Sequence, residues 1–87
     1  MLLQDAYETA QALLDAMVRP DSPDVVICSC TEFPNAWAFG YNTRRFLAHG
    51  ELSACLVGGG PVVVPKSGKD AFLSASGSPV DTQIGHL

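Results

Sequence analysis

The chain opens with apolar residues that return every three or four positions. Leu3, Ala6, Tyr7, Ala10, Leu13, Leu14 and Met17 fall on one stripe, with Gln4, Asp5, Glu8, Gln11 and Asp15 on the opposite side. That period is helical, so residues 2–18 are expected to form an amphipathic helix. Asp5 and Glu8 lie in its first turns, where carboxylates suit the positive end of the helix dipole. Arg19-Pro20 ends it, because the residue before a proline avoids the α region.

After the polar segment 20–24 the pattern changes to that of strands. Val25 to Glu32 alternates, with Val25, Ile27, Ser29 and Thr31 on one face and Val26, Cys28, Cys30 and Glu32 on the other. Phe33-Pro34-Asn35 reads as a turn. Ala36 to Asn42 then sets Trp37, Phe39 and Tyr41 on one face and Ala36, Ala38 and Gly40 on the other. A second hairpin is expected further on. Pro61-Val62-Val63-Val64-Pro65 is a stiff β-branched run bracketed by prolines. Gly68 can supply the positive φ of a tight turn, and residues 70–75 would return antiparallel. Pro61 and Pro65 cannot donate to a ladder and belong at strand ends or at an edge.

Between the hairpins, residues 43–57 read as a loop with one or two helical turns that stops at Gly58-Gly59-Gly60. After Ser76-Gly77-Ser78, Pro79 could begin a short helix capped by Ser78. The pattern as a whole predicts an α+β domain. An N-terminal helix packs on a four-stranded, mostly antiparallel sheet of two hairpins, followed by a short C-terminal helix or tail. Little chain is left to cover the second face of that sheet.

Eighty-seven residues make one domain, 1–87, with a modest core. Hydrophobic residues reach 47% and charged residues only 16%, which favours an apolar patch covered by a partner or by a second copy in a homodimer. The formal charge of −4 argues against nucleic acid as a partner, which would call for a basic stripe. It suits a basic protein or simple solubility. No run approaches the ~18 apolar residues of a membrane helix. The first residues lack the basic start of a signal peptide, so a cytoplasmic location is expected.

Candidate chemistry is sparse. Cys28, Cys30 and Cys55 are an odd set that does not suggest a disulfide framework. With His49 and His86 they do not form the paired ligand spacing of a zinc site, and they are expected to pack as small buried hydrophobes. No spacing shows a thiol activated by His49 in an electropositive setting. The glycine run is followed by a strand rather than a helix, so it is not a phosphate loop. No catalytic, metal or cofactor residues are assigned, and a non-catalytic role is expected. Trp37 and Tyr41 are either sheet core or a recognition surface, since aromatics dominate binding hot spots. Arg44 and Arg45 either anchor a partner carboxylate or solvate a loop. Glu32 and Asn35 lie near a turn, where function concentrates. Glu32, Asn35, Trp37, Tyr41, Arg44 and Arg45 are therefore the candidate protein-binding residues.

The order of these elements resembles the immunity protein 35 family, which includes YrhB-like small bacterial proteins. The resemblance rests on Ala36 to Asn42, Arg45 to Glu51, Gly58 to Gly68 and Leu73 to Ser78, and the helix-strand opening fits as well. It implies an antitoxin that neutralises a toxin domain of a polymorphic toxin system, with papain-like toxins among the suggested partners. A YrhB-like relative is described as a chaperone, which implies the alternative of a small holdase using an exposed apolar sheet face. The family supplies no catalytic residues.

Overall fold

The computed structural model describes residues 2–50 and 59–75. Its elements run α1 (Leu3–Met17), β1 (Val25–Phe33), β2 (Ala36–Thr43), α2 (Arg44–His49), β3 (Gly59–Pro65) and β4 (Phe72–Ala75). The four strands form one sheet in the order β1-β2-β3-β4, each antiparallel to its neighbour. The expected α+β architecture is the one observed. The expected short C-terminal helix or tail, and Cys55, fall outside the described residues.

The first helix forms where the period places it, but it buries a narrower stripe. Ala6, Ala10 and Leu14 are inaccessible, Leu13 and Val18 pack beside them, and Leu3, Tyr7 and Met17 are exposed. The cause is where α1 lies. It packs on β2 and β3, and two of its three fully buried positions are alanines, which let the backbone come close to the sheet. Arg19 fastens the exit. Its guanidinium meets the Asp15 carboxylate at 2.7 Å, donates to Gln11 Oε1 at 2.6 Å, and donates from Nε to the Val25 carbonyl at 3.1 Å. One side chain thus ties the last turns of α1 to the first residue of β1.

The aromatic face of the sheet is the one that meets α1. Trp37 and Phe39 join Val25, Val62 and Val64 with the helix residues in one core, with Ile27, Tyr41 and Leu73 at its border. Burying a side chain such as Phe39 or Leu14 contributes about 2–3 kcal/mol of transfer free energy. The second face is not left open at its centre. Ala36, Ala38 and Val63 are buried there, with Phe33 and Phe72 packed alongside.

The expected alternation of β1 holds for only half its length. Ile27 pairs with Tyr41, but Ser29 rather than Cys28 pairs with Gly40, so Cys28 is the extra residue of a β-bulge. Beyond it Cys30 lies opposite Phe39 and Glu32 opposite Trp37. Directly opposed residues share a face. The helix-side set is therefore Val25, Ile27, Cys30 and Glu32, and Ser29 and Thr31 move to the other side.

The second hairpin matches its sequence signals. Gly68 has φ 88° and its N–H reaches the Pro65 carbonyl at 3.3 Å. Pro65 closes β3. Pro61 lies inside it, where the register between β3 and β4 shifts, and Ser74 Oγ donates to its carbonyl at 2.8 Å. The irregularity accommodates the proline within an interior strand. Between the hairpins, Thr43 Oγ1 accepts from the Phe46 N–H and caps α2, and Gly50 ends it at φ 65°.

Candidate protein-binding surface

The six candidate residues divide between the two ends of β2. The ends of this eight-residue strand are about 24 Å apart at ~3.4 Å per step.

At the hairpin end, Glu32 and Trp37 are cross-strand partners and Lys66 joins them. Lys66 Nζ contacts Glu32 Oε2 at 2.5 Å and lies 4.8 Å from the centre of the indole ring. The Lys66 N–H donates to the Asn35 carbonyl at 2.9 Å, which pins the β1–β2 turn to the end of β3. Glu32 is exposed and Asn35 half-buried. Trp37 is only 6% exposed and belongs to the core under α1, so its ring is not free to meet a partner. Lys66 was not a candidate from sequence, because 34 positions separate it from Glu32.

At the other end, Asp24 organises the arginines. Its carbonyl accepts the Arg44 N–H at 2.9 Å and its carboxylate accepts Arg45 Nε at 3.1 Å. Desolvation raises the Asp24 carboxyl, but hydrogen bonds from the Arg45 side chain and backbone outweigh it and hold the group below its ordinary value of 3.8. Arg44 and Arg45 are exposed and line an open cleft of about 440 Å³ with Pro23, Ala48 and His49. Tyr41 is half-buried and borders the core, and burial pushes its hydroxyl up.

A third feature runs from the Asp24 end along β1 as far as Cys30. Because α1 lies over β2 and β3, β1 projects beyond it and leaves a trench. One part, of about 580 Å³, is lined by Tyr7, Gln11, Arg19, Asp24, Ile27 and Arg44 among others. The next, of about 420 Å³, is lined by Leu3, Gln4, Tyr7, Ile27, Cys28, Ser29, Cys30 and Phe39. Tyr7 and Ile27 are common to both, and the Tyr7 ring stands edge-on to Phe39 with centroids 6.1 Å apart. Cys28 and Cys30 are exposed rather than buried, since the bulge and the open side of β1 leave them uncovered. Partial burial, and then the nearby Glu32 carboxylate, push the Cys30 thiol up. The helical period places Tyr7 within the apolar stripe and gives no sign of this trench.

A profile of the family described as immunity protein 35 matches residues 4–82. The chain belongs to the immunity protein 35 family. No curated protein and no solved structure matches it. Membership supports an immunity-protein role with a protein as the partner, which directs attention to surface shape and charge. Among the described residues of this immunity protein 35 member, no group of three or more His, Cys, Asp or Glu side chains is arranged to hold a metal. Among those residues, too, no helix is long and apolar enough to cross a membrane.

Proposed function

We propose that this immunity protein 35 member neutralises a cognate bacterial toxin, in the cytoplasm, by binding it and occluding its working site. Papain-like toxins are among the candidates. The family assignment carries the proposal. The surface is compatible with it. A standard interface covers about 800 Å² per partner, roughly 30 Å across, enough to reach both ends of β2. Glu32 and Asn35 would contribute at one end and Tyr41, Arg44 and Arg45 at the other, with Trp37 supporting Lys66 from below. The holdase reading gains less support, since Ala36, Ala38 and Val63 on the second sheet face are buried.

Co-expression with the toxin domain encoded beside this chain tests the proposal. Growth should be rescued and the two proteins should co-purify at equal stoichiometry. A toxin that still kills and passes through purification alone would overturn it.

A further inference from the structure

The sheet order leaves β1 with no strand on its outer side among the described residues. Sheet edges of this kind template the addition of another strand, and natural edges are usually blunted with lysine, proline, bulges or a covering element. β1 contains neither lysine nor proline. Its first half is guarded, because Arg19 occupies the Val25 carbonyl and the bulge falls at Cys28. Its second half is not. Cys28, Ser29, Cys30, Thr31 and Glu32 are five successive exposed residues, in regular register with β2 from Ser29 onward. Beside them lies the apolar part of the trench, with Leu3 52% and Tyr7 43% exposed. A strand added there would place alternate side chains against Leu3 and Tyr7.

Charge selects the occupant. Arg19, Arg45 and Lys66 are committed to Asp15, Asp24 and Glu32, and Arg44 lines the other part of the trench rather than the apolar part. Glu8, exposed and one helical turn beyond the trench residue Gln4, has no cation partner among the described residues. A second copy of this chain, with its net charge of −4, would bring like charges together, whereas a basic segment would meet Glu8 beside the apolar part.

We propose that the outer edge of β1 from Cys28 to Phe33, with the trench between it and α1, takes an extended lysine- or arginine-bearing segment of the partner protein as a fifth strand. This rests on the antitoxin reading for the partner's identity, but its geometry is tested separately. Main-chain hydrogen bonds along the edge hold the segment, an apolar side chain enters beside Tyr7, and a cation faces Glu8.

The exposed thiols give the readout. The full-length protein is alkylated with a maleimide alone, in complex with the adjacent toxin domain, and with a seven-residue peptide alternating isoleucine and lysine. A matching peptide carries glutamate for lysine. Modification of Cys28 and Cys30 is mapped by mass spectrometry. At about ten times Kd the lysine peptide should slow alkylation of Cys28 roughly tenfold by occupancy, and it should shift the amide signals of residues 28–33. The glutamate peptide should do neither. Glu8→Lys, at an exposed position, should weaken the lysine peptide by about threefold or more at low salt, a difference that fades at high salt. A toxin complex that forms and neutralises while leaving both thiols as reactive as in the free protein overturns this inference and leaves the antitoxin reading standing. Equal effects of the two peptides, or thiol protection that appears only as the protein itself is concentrated, also overturn it. The second result would assign the edge to a homodimer.

Discussion

β1 and β3 look alike as text: Val25-Val26-Ile27 in one, Val62-Val63-Val64 in the other. Their fates differ. Val62, Val63 and Val64 are fully buried, whereas β1 is buried only at Val25 and is exposed from Cys28 to Glu32. Residue type explains only part of the contrast: Ser29, Thr31 and Glu32 are polar, but Val26 and Ile27 are half-buried where Val63 and Val64 are fully buried. β3 lies inside the sheet order beneath α1, while β1 stands at its edge, where the core beneath the helix takes in Val25 and has Ile27 at its border. Place in the sheet decides which apolar strand becomes core and which becomes a surface that another molecule can use.

The contrast can be broken most severely at the centre. Phe39→Ala removes the ring that both α1 and Tyr7 meet, and it should lose about 3–5 kcal/mol. That is comparable to the whole stability expected of so small a domain, so urea titration should show a protein largely unfolded in buffer. Gly60→Ala attacks β3 through its backbone. A Cβ there would stand 2.5 Å from the Ser74 carbonyl oxygen, and overpacking of this kind costs about 1–3 kcal/mol. A denaturation midpoint equal to wild type would show that β4 can move aside.

A smaller effect sharpens the comparison where the guarded half of β1 begins. The Asp24 carboxyl is lower in the folded protein than in the unfolded chain, so the unfolded state binds the proton more readily and stability rises with pH. The contribution is present above the ordinary carboxylate range and is lost as pH falls through 3.8 and below. Asp24→Asn should flatten that part of the pH–stability curve measured by urea titration. The smallest effect is expected at the edge. Cys28→Ser should change stability by no more than about 0.5 kcal/mol, as is usual for exposed positions. A larger loss would mean that the open half of β1 is part of the core after all.

Much of the fold could be read from local pattern. The α1 period, the two hairpins and the positive φ at Gly68 are consequences of residues near one another in the chain. What could not be read depended on distant pairing. No glycine marks the bulge at Cys28, so strict alternation put Ser29 and Cys30 on the wrong faces. Trp37 was a candidate for the surface, but its burial depends on α1 lying across β2. Lys66, which joins Glu32 to Trp37, is distant in sequence from both. The candidate site was legible mainly as residue types suited to contact. Their division into two groups required the sheet order.

Trp37 is the protein's lone tryptophan, buried in the core beneath α1 with Lys66 over its ring, and it is the cross-strand neighbour of Glu32 on β1. The molecule therefore carries its own optical gauge of folding. Indole emission should move to longer wavelength when α1 lifts from the sheet. A ligand that settles on the outer edge beside Glu32 should leave the indole buried and shift its emission far less, so unfolding and capture can be told apart in one cuvette by the size of the shift.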